Sequence, residues 1–189
     1  MSTTWWSWTF TMPADALTFT APRFVRDLPD AISKVLDREE FLSAHSENDF
    51  LHHWLAKIAQ RFGRGVLDDF LMLDPYAAEG ATRPATGFID GWSIAALLPA
   101  DIPAVETALD HWLDDPTALA AAFKGLIDRG DDVAGVIARL RAKPDPDARG
   151  GNLDDSIEDI LWFVVRVRDV LAKARQRGEA VVHVRWLYL

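Results

Sequence analysis

The sequence predicts an α+β fold: a single domain over residues 1–189, with a small sheet that includes an N-terminal and a C-terminal strand. Several helices pack on it, the longest near the C-terminus. Three observations carry this. Both ends of the chain alternate with period two, the stretch between them is dominated by helical periodicity, and about half the residues are apolar (49%), enough for a substantial core. Strands confined to the two ends of a largely helical chain belong to a sheet-plus-helix arrangement rather than to alternating β–α units.

The first strand spans residues 4–12. Thr4, Trp6, Trp8, Phe10 and Met12 share one side, and Trp5, Ser7, Thr9 and Thr11 the other. Pro13-Ala14-Asp15 is a turn signal, and residues 17–20 have the composition of a second short strand. Helical spacing follows over 29–44 (Ile32, Val35, Leu36, Phe41) and again over 48–62 (Leu51, Trp54, Leu55, Ile58, Phe62). Residues 66–73 extend this as a short helix, and 74–84 reads as a loop. Residues 86–92 are open between loop and strand. From 101 a helix is set by Ile102, Val105, Leu109, Trp112 and Leu113, and Asp114-Asp115-Pro116 ends it. Two helices over 117–128 and 132–142 follow, then a loop with two prolines. The long helix, about 154–177, carries acids in its first turn, where Asn152 or Asp154 would cap it, and stops at Gly178. The last strand, 181–189, sets Val182, Val184, Trp186 and Tyr188 against Val181, His183, Arg185, Leu187 and Leu189. The amphipathic helices can supply cover for the tryptophan-bearing faces, and the side of His183 and Arg185 reads as covered by a helix or structural rather than as a shallow binding site, because Leu187 and Leu189 share it.

Composition narrows the functional classes. There is no cysteine, which excludes a disulfide framework, thiol catalysis and thiolate metal sites. The N-terminus lacks a basic region followed by an apolar run, and the longest apolar stretch is Ile160–Val165, so a cytoplasmic protein without a membrane span is expected. The net charge of −9 argues against nucleic acid as partner, since phosphate binding needs a positive footprint. Residues 160–189 nevertheless hold six Lys/Arg against two Asp/Glu.

No nucleophile elbow, phosphate loop, dinucleotide fingerprint or HExxH pattern occurs, so no catalytic residue, metal site or cofactor is assigned. Two groups of site candidates remain. Glu106, Asp110 and Asp114 recur every four residues with no Lys or Arg at helical spacing, in a stretch (101–132) with eight acids and two bases. That ladder suits docking of a basic, toxin-like protein partner, as in an immunity protein. The alternative is an enzyme or binder of a small ligand or metal. Its candidate residues are His52 and His53 with nearby carboxylates, and Trp5, His183 and Arg185 on the polar sides of the end strands. A metal set of His45, Asp49 and His52 would require all three on one helical face, whereas Ser46-Glu47-Asn48 reads as the helix start.

From residue 94 onward, Leu98-Pro99-Ala100-Asp101 leads into a helix and a loop around Pro144 to Pro146 follows. A long helix then ends Ala174-Arg175-Gln176-Arg177, and Gly178-Glu179-Ala180-Val181-Val182 turns into the last strand. Upstream, Asp49-Phe50-Leu51-His52-His53-Trp54-Leu55 forms an aromatic and histidine-bearing stretch. In this order, over about half the chain, the sequence resembles the YfbM-like family of bacterial domains of unknown function. The tryptophan-rich start and residues 74–93 depart from it. The resemblance implies an α+β fold in the bacterial cytoplasm and brings neither a reaction nor catalytic residues.

Overall fold

In the computed structural model the described residues are 4–16, 42–47, 50–62, 70–71, 86–89, 92–125, 132–142, 151–152 and 156–188. They form an α+β fold with strands β1 (Thr4–Met12), β2 (Leu42–Glu47), β3 (Thr86–Ile89), β4 (Trp92–Leu97), β5 (Gly151–Asn152) and β6 (Ala180–Tyr188). The helices are α1 (Phe50–Phe62), α2 (Ile102–Leu113), α3 (Pro116–Ala122), α4 (Val133–Ala142) and α5 (Ile157–Arg177). The strands make one sheet in the order β3-β4-β6-β1-β2-β5, antiparallel except for the short β2–β5 pair.

The two end strands are neighbours at its centre. Thr4 pairs with Tyr188 and Met12 with Ala180, so nine residues of β1 run along nine of β6. The register also sets Trp92, Trp186 and Trp6 on one row across β4, β6 and β1.

Three expectations change. Leu42, Ser43 and Ala44 are strand, not the end of a helix over 29–44, and Ser46 and Glu47 end that strand rather than start the next helix, which begins at Phe50. Ladder bonds to β1 decide this: Leu42 and Ala44 pair with Thr9 and Ser7, and their side chains enter the core. Residues 86–89 resolve as strand, and 92–97 form a further strand that spacing did not reveal. The strand expected at 17–20, residues 29–41, the loop at 74–84 and most of the helix expected at 66–73 lie outside the described residues; Phe70 and Leu71 form a turn with buried side chains.

The helices pack on the side of His183 and Arg185, as read from β6, and not on the tryptophan-bearing faces. The core cluster joins helix residues to Leu42, Ala44, Ala95, Leu97 and Val181. On β1 and β6 that side carries Ser7, Thr9, Thr11, His183 and Arg185, as the registers Thr9–Leu42, Thr9–His183 and His183–Ala95 require. Trp6, Trp8 and Phe10 are on the other side. Trp6 and Trp8 stack at 6.0 Å between ring centroids and stay half-buried. Alternation alone could not reveal this, because β6 is buried on both sides: Val181, Val182 and Val184 are all fully enclosed. Period two tells inside from outside only where one side is solvated.

Helix α5 is the central helix. It touches β1, β2 and β6 on one flank and α1, α2 and α4 on the others, so Ile160, Leu161, Phe163, Val164, Val165 and Val167 are all buried. Its start is fixed by Ser156 rather than by Asn152 or Asp154. The Ser156 hydroxyl accepts from the Asp159 amide at 3.1 Å, and the Asp159 carboxylate accepts from the Ser156 amide at 3.2 Å. Its end is a left-handed Gly178 (φ 66°), with the Glu179 amide donating to the Ala174 carbonyl at 2.9 Å. Ser156→Ala removes the hydroxyl that caps the helix and leaves only the amide–carboxylate half of the reciprocal pair. It is expected to cost about 1 kcal/mol in chemical denaturation, and a change below a few tenths would show that Ser156 does not hold the helix start.

Candidate functional site

The acidic ladder is not a free docking face. Glu106, Asp110 and Asp114 lie along α2 as predicted, but each is met from another helix. The Arg175 Nε of α5 bonds Glu106 at 2.6 Å. The Arg168 guanidinium clasps Asp110 through two bonds of 3.0 and 3.1 Å and lies 4.0 Å from Glu106. Arg141 of α4 bonds Asp114 at 2.9 Å and lies 3.9 Å from Asp110. Spacing along one helix could not show this, because the matching cations come from α4 and α5. The i, i+4 repulsion among the acids is offset by interleaved arginines, and the seam ties α2, α4 and α5 together. The hydrogen bond to Asp110 outweighs burial and raises the Arg168 pKa. Glu106 is 5% exposed, so it is an interior ion-pair partner rather than a surface contact.

A buried arginine belongs to the same layer. Arg166 of α5 donates to Asp169 at 2.8 Å and to the Leu140 carbonyl at 3.1 Å. Leu140 sits in the last turn of α4, where carbonyls have no partner within the helix.

The other candidates divide. The structure brings His52, His183 and Arg185 together beneath the helices and leaves His53 outside. His53 is exposed on α1 and stacks edge-on to Trp54 at 5.4 Å. The side chain of Trp5 lies outside the described residues, and the backbone of β1 pairs it with Ser46 and Leu187. His45 lies in β2 and His52 in α1, so they do not share a helical face; Asp49 is outside the described residues. Among the described residues no group of three His, Asp or Glu side chains gathers in a way that could hold a metal ion.

What sequence reasoning did not find is how polar the buried side of the sheet is. Ser7, Thr9, Thr11, His183 and Arg185, with His52 from α1 above them, are all exposed by 5% or less. Buried polar groups cost free energy unless they are bonded. Thr9 Oγ1 and His183 Nδ1 meet this with a 2.9 Å hydrogen bond across β1 and β6. The His183 ring lies 5.6 Å from Phe70 and 6.3 Å from Phe163, centroid to centroid. Enclosure there, and to a smaller degree the neighbouring His52 and Arg185, push the His183 pKa down to about 3. The ring is therefore neutral at physiological pH. Its Nε2, like the Thr11 hydroxyl, has no hydrogen-bond partner among the described residues. The sequence signal for this strip was the run of Ser and Thr opposite the tryptophans on β1 together with His183 and Arg185 on β6.

No described helix is long and apolar enough to cross a membrane. Compared with protein-family models, with curated proteins and with solved structures, the chain finds no match in any of the three.

Proposed function

We propose that the protein is a non-enzymatic interaction protein of the immunity type, and that it attracts a basic partner through acid-rich stretches between the described elements rather than through α2. The observation that carries this is how the charge is distributed. The described residues hold twelve Asp/Glu and eleven Lys/Arg, so they are close to neutral. The remaining residues hold seventeen Asp/Glu against nine Lys/Arg, and within 68–90 five acids face Arg83 alone. Near-neutral described residues, joined to stretches in which acids outnumber bases about two to one, suit electrostatic steering of a cationic protein. Such steering acts mainly on the rate of encounter and weakens with salt.

The test takes a partner captured from the native host at stoichiometric level and measures its association rate. Neutralising Asp68, Asp69, Asp74 and Glu79 together (to Asn or Gln) is expected to slow association about tenfold at low salt, with dissociation little changed. Asp114→Asn, at an exposed carboxylate already paired with Arg141, is expected to leave the rate as it was. Failure to capture a stoichiometric partner, or an association rate insensitive to both salt and these substitutions, would sink the reading.

A further inference from the structure

We propose that the polar strip on the helix side of β1 and β6 binds a small oxyanion, a carboxylate or a phosphate, which accepts a hydrogen bond from His183 Nε2 beside the Arg185 guanidinium. This goes beyond the partner-binding role and does not rest on it. The geometry is specific. Thr9 fixes the His183 ring from one edge through Nδ1, which leaves Nε2 as the open valence. When the Thr9 hydroxyl donates to Nδ1, the ring proton sits on Nε2, and His183 becomes an oriented donor with no acceptor among the described residues. An unsatisfied buried donor costs as much as a lost hydrogen bond, and a ligand oxygen would recover that cost.

The charge of the surroundings selects the ligand. His52 and Arg185 are engaged by other groups of the protein, so they contribute field rather than a vacant bond. Both disfavour a positive charge on His183. The one buried carboxylate among the described residues, Glu106, is held by Arg175 in the outer helical seam. Phe70 and Phe163 flank the His183 ring and strengthen a charge-assisted bond by keeping water away. A bound anion would offset the positive charge of Arg185 and favour the protonated ring, so binding takes up a proton.

The experiment follows the imidazole resonances of the full chain during separate titrations with sodium phosphate and sodium acetate, at constant ionic strength near pH 6. The expected result is a saturable shift at His183 with one or both anions, and a binding heat whose buffer dependence shows proton uptake. Response to phosphate alone assigns a phosphate ligand, and response to acetate alone a carboxylate. His183→Asn keeps a side-chain partner for Thr9 but removes Nε2. It is expected to weaken binding about tenfold or more, the loss for one hydrogen bond to a charged group, while His53→Asn binds like the parent. No response of His183 to either anion up to about 10 mM, beyond even weak millimolar binding, would overturn the proposal. So would unchanged affinity in a folded His183→Asn protein. Because the resonances are read on the parent protein, the proposal is falsifiable even if that variant does not fold.

Discussion

Between pH 7 and pH 4.5 the stability advantage of the parent protein over a His183→Asn variant is expected to shrink by about 3 kcal/mol. His183 is fully enclosed, and its pKa falls from 6.5 in an unfolded chain to about 3 in the fold. The folded ring therefore stays neutral over a range in which the unfolded ring takes up a proton. Stability from this group is complete above pH 6.5 and is lost as pH falls from there toward 3, at about 1.4 kcal/mol per pH unit. Enclosure is the largest cause, and His52 and the Arg185 guanidinium also disfavour a positive charge on the ring. Carboxylates titrating over the same range affect both proteins alike, so the difference between the two isolates His183. Asn keeps a polar atom near the position of Nδ1 for Thr9 but cannot take a charge. It gives up the ring contacts with Phe70 and Phe163, so the variant starts less stable at neutral pH. Urea denaturation of both proteins at several pH values measures the gap. A gap that stays constant over this range would mean that the ring is not held neutral by burial.

Local sequence carried the ends of the fold and most of its helices. The period-two runs at 4–12 and 181–189 give β1 and β6 within a residue, and the apolar stripes of α2 and α5 mark those helices, with Gly178 as the stop of α5. Each of these depends on residues a few positions apart. What was not legible depends on pairing at long range. β2 alternates poorly and is made a strand by β1, more than thirty residues away in the chain. β4 is nearly continuous apolar chain, because Ala95 and Leu97 enter the helix-side core while Ile94 and Ala96 are buried on the other side. The site candidates divide in the same way. His183 and Arg185 could be placed together because they are two apart on one strand, whereas the approach of His52 depends on how α1 crosses the sheet. The partners of Glu106, Asp110 and Asp114 lie 27 to 69 positions further along the chain, beyond the reach of any helical spacing rule.

Charge reversal along the α2 ladder is expected to separate its three acids by burial, with Glu106→Lys destabilising the protein by about 4 kcal/mol or more. Glu106 is almost fully enclosed, with Arg175 bonded at 2.6 Å and Arg168 at 4.0 Å. Removing one partner of a buried pair already costs about 3–5 kcal/mol, and a lysine adds a like charge beside two guanidiniums. Arg175 is half-exposed, so water compensates part of its loss; the enclosed cation at 106 carries most of the penalty. Asp110 should rank second, since its two bonds to Arg168 are part-buried. Asp114→Lys breaks an exposed pair with Arg141 and should stay within about 1 kcal/mol. Replacing Glu106 by Gln keeps a hydrogen bond to Arg175 and should fall between these extremes. Urea midpoints for the four variants give the order, and a Glu106→Lys protein within about 1 kcal/mol of the parent would mean that the side chain escapes to solvent and the seam is not what holds α2 to α5. The same order decides how partner binding must be probed. Loss of binding in a Glu106→Lys protein would report unfolding, so among the ladder acids only Asp114 can be reversed as a clean test of contact.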